Sequence, residues 1–310
     1  MAKPRVLHVL EALEGGTARH VVDLVRHAEG TEHHVVLPRV RVGGVTDREA
    51  PGALAEAGAV VHHLPMRRTP WAPANGAALV RLAALIRRVD PDVVHGHSSI
   101  GGLLARLAAG PGRPRVYTPN GITDVRMGRF VERRLARLSH RVVAVSESEA
   151  RAVIDLGLAD AARLLTIPNG IDLTPPPPLD LRARLGLGRA TPLVGTIARL
   201  VPQKAPLDFV DACARIHRAD PSARFVLIGD GALREEFEQA VEAAGLVGVL
   251  HHLPVLEGAA AALGDLDVFV LTSRFEGGPY APLEAMRAGT PVVLTDVVGS
   301  RDVVEPGVTG

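Results

Sequence analysis

The chain alternates short runs of apolar, mostly β-branched residues with longer segments in which apolar positions recur at helical spacing. The runs predict buried strands and the longer segments predict helices. Strands are predicted at 5–10, 33–37, 59–64, 92–95, 115–118, 141–145, 193–197, 224–228, 249–252, 267–271 and 291–294. Helices are predicted at 16–28, 76–89, 127–139, 148–156, 204–217, 231–244 and 282–288. This alternation is typical of α/β proteins with parallel sheets covered on both faces.

A run of prolines at 175–178 divides the strands into two series. Such a run continues neither a helix nor a central strand. We therefore predict two Rossmann-like domains facing across a cleft: an N-terminal domain at 1–172, a proline-rich linker at 173–190 and a C-terminal domain at 191–310. Because the last residues directly follow a predicted strand and turn, we expect a truncated second domain with part of its sheet uncovered.

The amino-acid composition of the chain excludes several classes of function and site. The chain has 35 basic and 34 acidic residues among its 310, so it lacks the global basic field that collects nucleic acid. A single cysteine, Cys213, excludes an intramolecular disulfide and a cysteine-based zinc cage. The N-terminus shows no signal-peptide pattern, and no apolar run is long enough to span a bilayer. We expect a cytoplasmic protein.

Two strand–helix junctions in the first half carry candidate ligand-binding residues. Gly15 and Gly16 precede a predicted helix, where they suit either an anion-binding loop or a plain tight turn. His95 and His97 share one face of their strand unless Gly96 breaks it. His95 suits a hydrogen-bonded structural role, whereas His97 lies nearer the ligand-binding edge. No further residue is spaced to complete a metal site with them, so we expect no metal.

Arg199 and Lys204 lie at the first strand–helix junction of the second half. Lys3 and Lys204 are the two lysines of a chain that otherwise uses arginine, so a lysine here is distinctive. Two cations beside a helix N-terminus would neutralise a diphosphate. The alternative is a solvated loop with a surface ion pair.

Glu276 and Glu284 flank the start of the helix predicted at 282–288. Glu276 lies in a loop with Gly277 and Gly278, and Glu284 is placed in the first helical turn. Carboxylates so placed could accept hydrogen bonds from the hydroxyls of a sugar or a ribose. The alternatives are a glycosidase acid and nucleophile pair or simple helix-capping carboxylates.

The segment from Ser273 through Glu276 and Glu284 to Met286 resembles the signature of retaining glycosyltransferases of family 4. Further stretches follow the family's order, namely 15–21, 92–97, 145–148, 167–172, 199–204 and 229–231. The resemblance implies the GT-B fold and transfer of a sugar from a nucleotide-sugar, with UDP the commonest donor nucleotide, and no metal. Segments 64–68, 97–99 and 117–121 resemble the capsular and exopolysaccharide branch, which implies a polysaccharide or lipid-linked acceptor.

The resemblance also implies residue roles. Arg199 and Lys204 would bind the donor diphosphate and stabilise the departing nucleotide. Glu284 would hold the ribose, and Glu276, with the loop glycines Gly277 and Gly278, would hold the donor sugar.

In the first domain, the resemblance implies that Gly15 and Gly16 approach the donor phosphates. His97 would contact the transferred sugar and help orient the acceptor. Asn120 also falls on the acceptor side, where the capsular branch usually has histidine. Two alternatives stay open: a GT-B-fold sugar-nucleotide 2-epimerase, and a truncated chain that binds nucleotide without turnover.

An arginine-rich helix predicted within 126–138 places Val131, Leu135 and Leu138 on one stripe. The stripe suits either a core-facing helix or peripheral contact with anionic lipid on the inner face of the membrane.

Overall fold

The computed structural model describes residues 3–12, 15–39, 49–122 and 126–310. The chain divides into two compact units, Met1–Asn169 and Gly170–Gly310. Each unit contains one parallel β-sheet with helices between its strands, and the predicted α/β class is confirmed.

The first unit contains a seven-stranded sheet in the order β3-β2-β1-β4-β5-β6-β7. Its strands are β1 Arg5–Leu10, β2 Glu32–Leu37, β3 Val60–His63, β4 Val93–His97, β5 Arg115–Thr118, β6 Arg141–Ala144 and β7 Leu164–Thr166. Its helices are α1 Gly15–His27, α2 Glu49–Glu56, α3 Pro73–Val89, α4 Ser98–Ala108, α5 Arg126–Ala136 and α6 Glu147–Asp155. Of these elements, α2, α4 and β7 were not predicted.

The second unit contains a five-stranded sheet in the order β10-β9-β8-β11-β12. Its strands are β8 Leu193–Ile197, β9 Arg224–Ile228, β10 Leu250–Leu253, β11 Val268–Leu271 and β12 Val292–Leu294. Its α-helices are α7 Leu181–Arg184, α8 Pro206–Ala219, α9 Arg234–Ala243 and α10 Tyr280–Arg287, and short 3₁₀ helices cover Pro202–Lys204 and Ala259–Asp265.

Helix α4 packs against the first sheet at a distance that only glycine permits. A Cβ on Gly101 would lie 2.3 Å from the carbonyl oxygen of Val9, and one on Gly102 would lie 2.3 Å from the Tyr117 ring. A Cβ on Gly96 of β4 would in turn lie 2.7 Å from the Cα of Gly102. The same glycines weaken the helical pattern, which explains why α4 was missed.

The whole of the predicted linker, 173–190, falls within the second unit. Asp180 caps α7 by accepting a hydrogen bond from the Ala183 N–H, and Leu181 is fully buried. The Leu181 N–H also donates to Asp265 Oδ2 at 2.5 Å. The segment after the prolines is therefore folded, because a buried leucine and its hydrogen-bonded backbone anchor it.

The second sheet is covered on both faces at its central strands. The expectation that one of its faces is uncovered is therefore wrong for these strands. Along β9, Val226 and Ile228 pack into one apolar cluster, while Phe225 and Leu227 pack into another. Helix α7, the turns at Ala259–Asp265 and α10 supply the first cluster, and α8 and α9 supply the second. The large exposed apolar residue of this sheet is Val293, in the edge strand β12.

Candidate functional site

In the second unit, the loops after β8 and β11 bring Lys204 and Glu276 together. The two strands are parallel neighbours, so the loops leave the same edge of the sheet. Lys204 Nζ lies 2.5 Å from Glu276 Oε1, and both side chains are largely buried, 17% and 7% exposed. The structure therefore joins two of the predicted site residues in one ion pair.

The Glu276 carboxylate is held through one of its oxygens. Ser273 Oγ also donates to Glu276 Oε1, at 2.5 Å. Within the described parts of the chain, no hydrogen bond is made to Glu276 Oε2. This arrangement fixes the carboxylate while leaving one oxygen to accept from a ligand hydroxyl.

Backbone contacts hold the Lys204 loop against the Glu276 loop. Thr272 Oγ1 donates to the carbonyl oxygens of Lys204 and Ala205, each at 3.1 Å. The Arg274 N–H donates to the carbonyl oxygen of Gln203 at 2.8 Å, and Gln203 Nε2 donates back to Phe275 O at 3.1 Å. The ion pair thus sits on a rigid framework that fixes its two side chains.

Gly299 supports Glu276 from the loop after β12. Gly299 has φ +83°, and a Cβ there would lie 2.6 Å from the Glu276 carbonyl carbon and 2.7 Å from Gly277 O. The Glu276 N–H donates to Val298 O at 2.9 Å. Only glycine can therefore occupy position 299 without displacing the loop that carries Glu276.

The remaining predicted residues of the second unit flank this pair in sequence. Arg199 lies between β8 and Lys204, and Gly278 precedes α10. Glu284 is the fifth residue of α10, which begins at Tyr280, so its placement in the first helical turn was wrong. The helix begins two residues earlier than predicted because Pro279, in extended conformation, serves as its N-cap.

In the first unit, β4 continues through Gly96 to His97, so His95 and His97 do share a face. Their ring centroids lie 3.9 Å apart. His95 Nε2 lies 2.8 Å from Thr118 Oγ1, which agrees with the hydrogen-bonded role expected for His95. His97 is fully buried, and its Nδ1 has no hydrogen-bond partner among the described residues.

Two histidines that the sequence analysis did not single out complete this cluster. His8 in β1 is paired in register with His95, and His33 lies on the neighbouring strand β2. His8 Nδ1 lies 3.1 Å from His97 Nε2, and His8 Nε2 lies 3.1 Å from His33 Nδ1. Their signal was present in the sequence, because strands 5–10 and 33–37 were both predicted. The sequence does not reveal the strand order β2-β1-β4, which brings these histidines next to His95 and His97.

Burial keeps the histidines of the cluster neutral. Desolvation is the largest cause that lowers the pKa of His8, His95 and His97, and the neighbouring histidines lower it further. The pKa of His95 falls to about 3. A neutral imidazole has one donor and one acceptor nitrogen, so each ring can link two neighbours.

Folding also creates a group that sequence spacing had excluded. One ring nitrogen from each of His8, His95 and His97 lies within 4.8 Å of the others, close enough to hold a metal ion. We expected no residue to complete a set of metal ligands with His95 and His97. That expectation is wrong, because folding brings His8 close enough to complete such a set. The third residue comes from a strand that is distant in sequence but adjacent in the sheet.

Asn120 lies in the loop after β5, in the left-handed backbone region at φ +55°. The next N–H, that of Gly121, donates to Glu149 Oε1 at 2.6 Å, and the Val145 N–H donates to Glu149 Oε2 at 2.8 Å. Glu149 is fully buried, and this desolvation raises its pKa. Glu149, which sequence analysis missed, therefore ties the Asn120 loop to the loop after β6.

Gly15 and Gly16 form the exposed first residues of α1, and Gly15 has φ +68°. No acidic residue lies in the first turn of that helix. These features suit either an anion-binding loop or a plain tight turn, so the binding role of the two glycines stays a prediction.

The arginine-rich helix α5 does not form the predicted stripe. Leu135 is buried, but Val131 is 41% exposed and Leu138 lies beyond the helix end. The side chains of residues 126–129 lie outside the described residues. Among the described residues, no helix is both long enough and apolar enough to cross a bilayer.

Comparison with known families matches both halves of the chain. Residues 14–175 match Glycosyltransferase Family 4, and residues 180–310 match Glycosyl transferases group 1. The chain is 30% identical over 252 residues to the Escherichia coli UDP-Gal:alpha-D-GlcNAc-diphosphoundecaprenol alpha-1,3-galactosyltransferase, covering 74% of this chain and 64% of that protein. It is 34% identical over 259 residues to the 2-deoxystreptamine N-acetyl-D-glucosaminyltransferase of Streptomyces fradiae, covering 74% and 60%. The matches thus span less than two thirds of these relatives.

Solved structures share the fold. Anabaena Alr3699/HepE in complex with UDP and glucose superposes with a TM-score of 0.80 at 23% identity, covering 99% of this chain and 84% of that one. Sucrose-phosphate synthase from Thermosynechococcus elongatus superposes with a TM-score of 0.80 at 18% identity, covering 98% and 84%. The expected GT-B fold of two Rossmann-like units is confirmed.

Proposed function

The chain belongs to glycosyltransferase family 4, and on that premise we propose that it transfers a sugar from a nucleotide-sugar donor to an acceptor with retention of configuration. One observation carries the proposal furthest, the Lys204–Glu276 pair with its second carboxylate oxygen open. A cation and an oriented acceptor at one sheet edge suit a ligand that combines phosphate with sugar hydroxyls.

The donor contacts follow from this pair. Lys204, with Arg199, binds the diphosphate and stabilises the charge that develops on the departing nucleotide. Glu276 accepts a sugar hydroxyl through Oε2, backed by the Gly277–Gly278 loop. Glu284 holds the ribose hydroxyls. UDP is the proposed nucleotide, supported by the UDP donor named for the Escherichia coli relative and the UDP bound to Alr3699/HepE.

We also propose ligand contacts for residues of the first unit. Gly15 and Gly16 approach the donor phosphates through exposed backbone at the start of α1. His97 contacts the transferred sugar, and Asn120 lies on the acceptor side. The relative that acts on a diphosphoundecaprenol-linked sugar supports a lipid-linked or polysaccharide acceptor for this chain.

We propose that the reaction needs no metal, because Lys204 and Arg199 supply the positive charge that a divalent ion provides in other transferases. The leaving phosphate then takes the proton of the acceptor hydroxyl on the same face of the sugar. In this mechanism Glu276 positions the sugar and forms no covalent bond with it.

A panel of nucleotide-sugars tests the proposal. Thermal shift with UDP-glucose, UDP-galactose, UDP-N-acetylglucosamine and GDP-mannose identifies the donor, and release of nucleotide is then followed with and without EDTA. We expect one donor to stabilise the chain and to be hydrolysed equally in both conditions. Loss of turnover in EDTA, restored by magnesium or manganese, would contradict the metal-independent mechanism.

The same panel separates the alternatives. A GT-B-fold 2-epimerase would convert the sugar of UDP-N-acetylglucosamine at C2 before releasing it, which chromatography of the products detects. A chain that binds nucleotide without turnover would show a thermal shift and no released nucleotide. The spacing of Glu276 and Glu284 matches transferases and does not favour the epimerase.

A further inference from the structure

The histidine cluster of the first unit forms a continuous chain of contacts that ends on a backbone carbonyl. His33 Nε2 lies 3.4 Å from the carbonyl oxygen of Ala28. His33 Nδ1 is 3.1 Å from His8 Nε2, and His8 Nδ1 is 3.1 Å from His97 Nε2. The far end is His97 Nδ1, which is buried and has no partner among the described residues.

The carbonyl at one end determines where every proton in the chain lies. A carbonyl oxygen only accepts, so His33 Nε2 carries the hydrogen and His33 Nδ1 is an acceptor. His8 must then donate from Nε2 and accept at Nδ1. His97 in turn donates from Nε2, which leaves its Nδ1 as a bare lone pair.

The opposite proton arrangement is less favourable at both ends. It would direct the lone pair of His33 Nε2 at the lone pairs of Ala28 O. It would also leave an N–H on His97 Nδ1, a buried donor without an acceptor in the described part of the first unit. The intermediate arrangement with a charged ring is disfavoured because burial lowers the pKa of His8 and His97.

We propose that His33 and His8 are positioning residues that hold His97 in its Nε2-protonated form, so that His97 Nδ1 accepts a hydrogen bond from a hydroxyl group of the sugar substrate. This inference rests on the proposed function for the identity of the ligand, but the proton positions do not. Since the orphaned atom accepts only, the site selects a donor group such as a hydroxyl and disfavours a carbonyl or carboxylate.

A metal ion is the competing occupant of this cluster. An ion held by His8, His95 and His97 would be ligated by the lone pairs of their facing nitrogens. If His97 Nε2 were a ligand, its proton would move to Nδ1 and become the buried donor without an acceptor described above. Metal ligands normally donate their second N–H to a carbonyl or carboxylate, so His97 does not fit a metal site through Nε2, and titration with zinc tests ligation through Nδ1.

Nitrogen NMR of the full chain labelled with ¹⁵N-histidine tests the proton positions without any ligand. Long-range ¹H–¹⁵N correlations distinguish a protonated from an unprotonated ring nitrogen, and the spectrum of His97→Gln assigns the His97 signals. We expect His97 to be protonated at Nε2 and bare at Nδ1. A His97 protonated at Nδ1 would overturn the proposal.

A matched pair of variants tests the role of His33. In His33→Asn, the amide oxygen replaces Nδ1 as the acceptor for His8, so the His97 pattern should be retained. In His33→Leu the acceptor is lost, so His97 should exchange between two protonated forms and turnover should fall about tenfold, the effect of one hydrogen bond. An unchanged His97 spectrum in folded His33→Leu would overturn the positioning role.

Two titrations of the wild-type chain complete the test. Addition of the donor identified in the panel should shift the His97 Nδ1 signal, whereas UDP alone should not; no shift with a donor that binds would overturn the hydroxyl contact. Stoichiometric changes in the histidine signals on addition of zinc would overturn the proton chain in favour of a metal site. If no nucleotide-sugar binds while His97 keeps its expected pattern, the proposed function fails and the proton chain stands.

Discussion

Each unit contains a cluster of buried polar side chains, and the two clusters are stabilised in different ways. The first unit buries neutral histidines and connects them through alternating donors and acceptors. The second buries opposite charges, Lys204 and Glu276, and pairs them directly. The Lys204–Glu276 pair follows the carboxyl ends of β8 and β11, whereas His97 ends β4 and the other histidines lie within their strands.

The difference predicts how each cluster responds to change. An ion pair depends on the presence of both charges, since removing one leaves the other buried without compensation. A neutral histidine chain depends on protonation state and on the direction of each hydrogen bond. Charge substitution should therefore disrupt the second unit, and acid should disrupt the first.

Replacing Lys204 with alanine should give the largest effect. The change removes the cation proposed to stabilise the departing diphosphate, a contact of the kind that lowers turnover about 10²–10³-fold when it is lost. Release of nucleotide from the donor identified by thermal shift measures the effect.

The control for this variant must separate catalysis from stability, because Lys204→Ala also strands the largely buried Glu276 carboxylate. Circular dichroism at the assay temperature establishes that the variant is folded. Arg218→Ala, which removes an exposed cation near the far end of α8, should leave turnover unchanged. Wild-type turnover in folded Lys204→Ala would assign the pair to a structural role.

Lowering the pH should destabilise the chain through its histidine cluster. The folded-state pKa values of His8, His95 and His97 lie below the ordinary value near 6.5 of an unfolded chain. Above pH 6.5 both states are neutral and this contribution is constant. Below pH 6.5 the histidines bind protons in the unfolded chain but stay neutral in the folded chain, so the free energy of unfolding falls as the pH falls. For His95 this loss continues down to about pH 3, where the folded-state pKa lies.

At pH 5.5 the expected loss is about 1.4 kcal/mol for each histidine that stays neutral, measured by urea denaturation against pH 7.5. His95→Asn removes one such group and should make the pH dependence shallower by about that amount. An identical dependence in the two proteins would show that His95 is not the neutral buried base that its surroundings indicate.

The smallest expected effect concerns membrane contact. Phe130 in α5 is 61% exposed and Arg134 lies over its ring at 4.9 Å, which places an apolar and a cationic group side by side. We propose that this helix binds anionic lipid, and each arginine near such a surface contributes about 1 kcal/mol. Phe130→Ser should therefore reduce co-sedimentation with phosphatidylserine vesicles.

Added salt should weaken that binding, because it screens the attraction between arginine and anionic lipid. Val247→Ser is the control, since it removes an apolar side chain of the second unit that is at least as exposed as Phe130. Equal pelleting on neutral phosphatidylcholine vesicles would remove the electrostatic argument.

Local pattern predicted most strands and the class of fold, because a strand buried on both faces has a continuous apolar signature. It missed α4, whose glycines are unfavourable in an isolated helix and become explicable only against the sheet. It also started α10 too late, since the proline before it acts as the cap. Errors of this kind arise where tertiary contact overrides local preference.

For the candidate site, the sequence was sufficient to single out residues of suitable chemistry, but it did not show which of them contact each other. Lys204 and Glu276 were singled out separately, and their pairing depends on β8 and β11 being neighbours in the sheet. His8 and His33 were overlooked for the same reason, since no sequence spacing shows that β1 lies between β2 and β4. Strand order is a long-range property, and it decided which histidines meet.

The glycines of α4 also limit how this protein can be engineered. Glycine in a helix interior costs about 1 kcal/mol relative to alanine, so Gly101 and Gly102 would ordinarily be the first positions to exchange in a thermostabilisation campaign. Here a single added methyl group would meet the Val9 carbonyl or the Tyr117 ring. The two glycines lower the helix propensity of α4 but allow it to pack closely against the sheet beside His97. Substitutions that raise thermostability would therefore have to be made elsewhere in the fold.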